Sequence, residues 1–219
     1  MTAEEFRAEN LARNQALRAE RFRRLNPLCR KGQIVFAGSS LMEHFPIEEL
    51  VEDIGLDVCV YNRGNSGYVT RQMLDDLREM VLDLAPSKLF INIGTNDIGQ
   101  GLFDELWVNY EEILNRVQRE LPDCRIYIMA YYPCNDQADF GRSPEEQARC
   151  FRHRNPASIR EANRKLESLA RRHGCQYIDA NEGLADESGR MKENFCVDGI
   201  HMYPDGYAIV LNNLLPYLK

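Results

Sequence analysis

Two rhythms of apolar residues alternate along the chain. Short apolar runs bounded by glycine, proline or charge recur at residues 33–37, 57–61, 88–93, 125–131 and 175–178. Runs of that length without a polar face predict buried parallel strands. Between them the apolar positions take helical spacing. Over 70–84, Met73, Leu74, Leu77, Met80, Val81 and Leu84 share one face; over 103–121, Phe103, Leu106, Trp107, Tyr110, Ile113, Leu114 and Val117 share another. Asn155-Pro156 opens a further helix with a cap and a first-turn proline, and Gly174 closes it after His173. Pro204 opens the last helix, which carries a stripe from Tyr207 through Val210, Leu211, Leu214 and Leu215 to Leu218.

The ends and one connection are different. Residues 2–25 predict a heavily charged helix with few apolar anchors, Phe6, Leu17, Phe22 and Leu25, stopped at Asn26-Pro27. It reads as a packing or homodimer element; its stripe is too thin for a membrane anchor. Residues 132–154 carry Pro133, Gly141 and Pro144, with Phe140, Phe151, Arg142, Arg149, Arg152, His153 and Arg154, and no clean strand or long helix. That segment reads equally as a lid or pocket wall and as a solvated surface loop. Strands alternating with amphipathic helices predict an α/β fold, a parallel sheet covered by helices on both faces. No repeat or linker interrupts the pattern, so residues 1–219 read as one domain, within the size a single core can reach.

Composition narrows the function classes. Forty-four per cent hydrophobic and 28% charged residues are ordinary for a folded domain. The net charge of −7 argues against a general nucleic-acid surface, though local charge still decides whether an anion can bind. No run approaches the ~20 apolar residues of a membrane span, and the charged first ten residues lack a secretory pattern. Seven scattered cysteines without a C-x-x-C pair read as reduced, mostly buried thiols. Together these predict a cytoplasmic location.

Ligands of such sheets bind beyond the carboxyl ends of the strands. Four polar segments fall there: Gly38-Ser39-Ser40-Leu41, Asn62-Arg63-Gly64-Asn65-Ser66-Gly67, Gly94-Thr95-Asn96-Asp97 and Asp198-Gly199-Ile200-His201. A serine hydroxyl attacks a carbonyl only when a base takes its proton. Ser40 stands at a strand-to-helix turn, and His201 is a base suited to neutral pH. Asp198, three residues before His201, can orient the imidazole and stabilise its cation. Asp205 and Asp179 are rivals, read instead as serving a helix start and a loop. The negative charge that grows on the substrate oxygen needs donors already in place. The Ser40 and Gly64 backbone N–H groups and the Asn96 amide are the candidates. Asp97 reads as a tie between loops.

These four blocks, in this order, resemble the SGNH or GDSL hydrolase family of esterases and lipases, at Ser40, Gly64, Asn96 and His201. Gly-Thr-Asn-Asp at 94–97 and Asp-Gly-Ile-His at 198–201 are the more specific parts. The resemblance implies a flavodoxin-like three-layer α/β/α sandwich with five parallel strands, no metal and no organic cofactor. The spacing resembles the branch with platelet-activating-factor acetylhydrolase subunits and bacterial acyl-esterases. The family often has aspartate before its nucleophile, where this chain has Ser39; alignment with the motif selects Ser40. The expected activity is hydrolysis of a small-molecule carboxylic ester with a short acyl group. The alternatives are a non-catalytic carbohydrate- or ester-binding module on the same scaffold and a phosphate-binding protein. The latter lacks any glycine-rich phosphate loop.

Overall fold

A computed structural model describes residues 1–219, the side chains of residues 3 and 4 excepted. Five strands form one sheet: β1 (Ile34–Gly38), β2 (Val60–Gly64), β3 (Lys88–Asn92), β4 (Arg125–Met129) and β5 (Gln176–Ile178). Every pairing is parallel and the spatial order is β2-β1-β3-β4-β5. This is the expected flavodoxin-like order, in which the direction of chain progress reverses between β1 and β3. Loops leaving those two strands diverge, so a crevice opens between them.

The strand side chains alternate between two cores, as period-2 geometry requires. Val35, Ala37, Leu89, Ile91, Ile126 and Ile128 pack with Met73, Leu77, Ile113, Leu114, Ile159 and Leu166. Those partners come from α4 (Thr70–Asp75), α5 (Leu77–Met80), α7 (Phe103–Glu120) and α9 (Pro156–Arg172). Ile34, Phe36, Phe90, Tyr127 and Met129 face the other way. They meet α2 (Ser40–Glu43), α3 (Ile47–Asp53) and α10 (Pro204–Leu218). Phe36, Phe90 and Tyr127 stack across three neighbouring strands, with centroids 4.5 and 4.6 Å apart.

Several elements differ from the sequence expectation. Strand β2 starts at Val60, three residues later than expected, and ends in Asn62, Arg63 and Gly64. It is an edge strand, so its polar side chains can find partners outside the sheet. The helix expected over 70–84 is three short turns, with Ala85 at φ 42° closing the last. Its apolar face is nonetheless buried as expected. The segment 132–154 contains a helix, α8 (Pro144–Phe151), capped by Ser143 and Glu146. A further short helix, α6 (Thr95–Gln100), follows β3.

The N-terminal helix α1 (Ala3–Leu25) docks differently from the expectation. Phe22 is buried, but Phe6, Leu17 and Leu25 are exposed. The docking face is Gln15, Ala19, Phe22 and the following Asn26, a helical row with two polar members. Arg63 closes it, reaching Asn26 Oδ1 at 3.1 Å and lying against the Phe22 ring. The cysteines also depart from expectation: only Cys134 and Cys196 are buried, and the other five are partly exposed.

The carboxyl end of β1 is crowded. A Cβ on Gly38 would stand 2.1 Å from the Asn92 carbonyl oxygen of β3. The Gly38→Ala variant is therefore expected to lose about 1–3 kcal/mol of stability by overpacking. Urea unfolding measures this; a parental midpoint would show that the β1–β3 contact yields.

Candidate active site

The chain enters the site from β1. Ser39 caps α2 and Ser40 is its first residue, so the Ser40 N–H has no helical acceptor. No other acceptor meets it among the described residues. Ser39 and Ser40 are both buried, but their hydroxyls differ. Ser39 Oγ has no partner, whereas Ser40 Oγ lies 2.9 Å from His201 Nε2. Of the two hydroxyls, only that of Ser40 meets the imidazole.

The partner loop runs from Asp198 to His201. Gly199 takes φ 84°, and a Cβ there would meet the Asn135 carbonyl at 2.4 Å and Phe151 at 2.8 Å. This glycine lets the backbone turn so that Asp198 Oδ1 accepts the N–H groups of Ile200 and His201, at 3.0 and 2.8 Å. Asp198 Oδ2 then faces His201 Nδ1 at 2.9 Å. The bond to a carboxylate places the proton on Nδ1 and leaves Nε2 to accept from Ser40. Burial alone would raise the Asp198 pKa, but hydrogen bonds from the His201 ring and from the His201 and Ile200 N–H groups outweigh it. The carboxyl sits well below the usual range. The rivals serve elsewhere: Asp205 accepts from Gly206 N–H and Asp179 from Asn181 N–H.

Two contacts hold the halves together. Tyr207, one turn into α10, donates its hydroxyl to the Leu41 carbonyl at 2.8 Å. Exposed His44, at the end of α2, lies with its ring 5.2 Å from that of His201. Partial burial, and then the charge of His201, lower its pKa and favour the neutral ring.

Asn96 sits in the first turn of α6 with its amide clamped. Its Nδ2 donates to the Tyr68 carbonyl at 2.9 Å, and its Oδ1 accepts from Arg154 at 3.2 Å. The second Nδ2 hydrogen has no acceptor among the described residues. Asp97 ties the same loops by accepting the Thr70 N–H at 3.1 and 3.0 Å. Burial raises its pKa against those bonds.

Gly64 does not offer the free donor expected of it. Its N–H donates to Asn62 Oδ1 at 2.9 Å, and its carbonyl accepts from Arg18 at 2.5 Å. A Cβ at Gly64 would stand 2.1 Å from the Glu43 nitrogen, so this glycine serves the close packing of β2 on α2. Gly67, three residues on, adopts φ 78° and keeps an N–H with no acceptor among the described residues. The sequence carries both glycines, and it is the side chain of Asn62 that engages the Gly64 N–H.

Two arginines of the 132–154 segment reach the site from opposite sides. Arg142 donates to the Asp198 carbonyl at 2.6 Å and approaches its carboxylate at 3.5 Å. Arg154 reaches Asn96, as above, and the Thr95 carbonyl at 2.9 Å. Sequence reasoning grouped these residues with Arg149 and Arg152 without singling them out. Cavities of about 340–460 Å³ along α1 and at the amino edge of the sheet are lined by neither Ser40 nor His201.

Comparison with known proteins places this geometry. The family of GDSL-like lipases and acylhydrolases matches residues 44–209, a span that begins just after Ser40. Curated proteins give no match. A solved Streptococcus pneumonia structure, provisionally described as a platelet activating factor, is 27% identical with a TM-score of 0.88. The alignment covers 99% of this chain and 98% of that one. A GDSL-like lipase from Bacteroides thetaiotaomicron is 19% identical, TM-score 0.73, over 91% of this chain and 96% of that one. A variant of an acetyl-xylooligosaccharide esterase from Geobacillus Stearmophilus is 16% identical, TM-score 0.62, over 87% and 96%. No helix of the structure is long and apolar enough to cross a membrane. With a family match over most of its length and a serine, a histidine and an aspartate in line, the chain belongs to the GDSL-like lipase/acylhydrolase family, as an ester-hydrolysing serine hydrolase.

Proposed function

We propose that the protein hydrolyses a short-acyl carboxylic ester through an acyl-enzyme on Ser40. The observation that carries this reading is the unbroken line from Ser40 Oγ to His201 Nε2 and from His201 Nδ1 to Asp198 Oδ2, 2.9 Å at each step. Ser40 Oγ attacks the ester carbonyl while Nε2 takes its proton. Asp198, already ionised and held by two backbone N–H groups, stabilises the imidazolium that forms. The imidazolium then protonates the leaving alcohol. Water enters, gives its proton to Nε2 and attacks the acyl-enzyme, which releases the acid and returns the proton to Ser40.

The oxyanion donors we propose are the Ser40 N–H, the free Asn96 Nδ2 hydrogen and the Gly67 N–H. Gly67 replaces the Gly64 of the sequence reading because the Gly64 N–H is engaged by Asn62. A donor already bonded elsewhere has to break that bond before it can serve, which cancels the advantage of preorganisation. The short acyl group is supported by the sequence, which dedicates no apolar stretch to a fatty chain. The esterase from Geobacillus with the same fold acts on acetylated xylo-oligosaccharides, which fits a small acyl group. A non-catalytic binding module is the less economical reading, because binding alone gives no reason to aim a serine hydroxyl at an aspartate-bound imidazole.

Two measurements test the proposal. Aryl esters of graded chain length should turn over fastest at about two to four acyl carbons. Each buried methylene is worth ~0.8 kcal/mol only where an apolar groove receives it, so a preference for roughly ten or more carbons would overturn the short-acyl reading. The Ser40→Ala variant should lose at least about 1,000-fold in kcat while folding normally; ester turnover at the parental rate would end the acyl-enzyme proposal.

Asp198→Asn should also lose roughly 1,000-fold or more, because the asparagine no longer holds the productive tautomer. It should change acid stability as well. The folded-state pKa of Asp198 lies below its unfolded value of about 3.9, so its contribution is present above about pH 4 and fades as pH falls below that. Urea midpoints from pH 7 to 3 should therefore fall less steeply in Asp198→Asn. Parallel curves would show that the folded carboxyl titrates normally.

A further inference from the structure

We infer that Arg154 is a positioning residue that sets and polarises the Asn96 amide, an assignment that rests on the proposed oxyanion role of Asn96. Its guanidinium is enclosed enough for burial to pull its pKa down, yet it remains charged. Among the described residues no carboxylate pairs with it, whereas Arg142 has Asp198 and Arg190 has Asp136. Asp198 acts on it only at a distance; a desolvated cation with no carboxylate in contact is costly, and its hydrogen-bond partners are two oxygens of one turn. Nε donates to the Thr95 carbonyl at 2.9 Å and Nη2 to Asn96 Oδ1 at 3.2 Å.

The surrounding chain is shaped to admit this group. A Cβ on Gly99, one turn into α6, would stand 2.3 Å from Arg154 Nη2. The Asn96 amide is thereby held at both ends, its oxygen by Arg154 and one hydrogen by the Tyr68 carbonyl. Only the second hydrogen is left to donate, and its direction is fixed. A cation on the amide oxygen also draws electron density from nitrogen, which makes that hydrogen a stronger donor to a developing oxyanion. The benefit appears only when negative charge forms on the substrate, so it acts on kcat and not on ground-state binding.

A double-mutant cycle tests this directly. Arg154→Met should lower kcat about 10- to 100-fold with KM within about threefold of the parent. Asn96→Ala should lower kcat about 100-fold or more, and adding Arg154→Met to it should cost less than about threefold further. Labelling of Ser40 by a fluorophosphonate should slow in parallel, because that reaction also places charge on oxygen. If the two losses multiply, or the change falls on KM, or folded Arg154→Met keeps the parental kcat, the inference is overturned.

Should Arg154→Met fail to fold, Arg154→Lys supplies the same cycle. A single ammonium can satisfy one of the two oxygens, so its loss should be smaller and should also vanish beside Asn96→Ala. A loss that persists there overturns the inference. The Ser40→Ala control separates the two levels: ester turnover surviving that change defeats the functional reading itself. An inert Ser40→Ala alongside an unaffected Arg154→Met defeats only the role given to Arg154.

Discussion

The site depends on how closely three backbones approach one another at the carboxyl end of β1. Gly38 lies against the Asn92 carbonyl of β3, and Gly64 lies against the backbone of α2, each with no room for a methyl group. Helix α2 has four residues and could not hold its shape alone, since a single turn repays little of its ordering entropy. It is held from outside. Asn62 donates to the Met42 and Phe45 carbonyls at 2.7 and 2.9 Å, and Tyr207 donates to the Leu41 carbonyl. The direction in which Ser40 points is therefore set by the edge strand and by the helix that follows His201.

That arrangement explains why the catalytic line and the sheet cannot be treated separately. Tyr207 comes six residues after His201, so the element that follows His201 also pins the turn that carries Ser40. The charges are arranged with similar economy. Asp198 collects two backbone N–H groups and the His201 ring, which accounts for a carboxyl that stays ionised despite its burial, and Arg142 lies beside it. The whole chain carries a net charge of −7, yet both sides of the site are bordered by arginine. Net charge describes solubility and long-range steering; the local field depends on which side chains the fold brings inward.

Much of this was legible in the sequence, for identifiable reasons. Strand β3 and the stripe of α10 are continuous apolar signals, and the structure buries both. The grouping of Ser40, His201 and Asp198 was legible because four polar blocks stand in the order of a known family, whereas each residue alone has a bland reading. What escaped was encoded in polar side chains whose partners lie far away in the chain. Strand β2 ends in Asn62-Arg63-Gly64, which reads as loop until Asn26, Met42 and Phe45 supply partners. The docking face of α1 includes Gln15 and Asn26, which hydrophobic periodicity omits. Gly64 and Gly67 are alike as letters, and the Asn62 amide occupies the N–H of the first. Helix α8 is legible in principle, since Ser143-Pro144-Glu145-Glu146 is a capping box with a first-turn proline, but its eight residues are too short to stand out as a long helix.

The segment 132–154 shows what such distant partners accomplish. Read alone, it could have been a lid or a solvated loop. Its ends are packed: Phe151 and Cys134 are buried, and Phe140 and Phe151 fill the space that a side chain on Gly199 would need. Arg142 grips the loop of Asp198 and Arg154 grips the loop of Asn96, so one segment touches both of these loops of the site. A lid has to leave without cost to the groups it covers. Lifting this segment would remove a cation from a partly buried carboxylate and break the hydrogen bonds from Arg154 to Thr95 and Asn96. Any motion of the segment therefore has to break contacts on two loops at once.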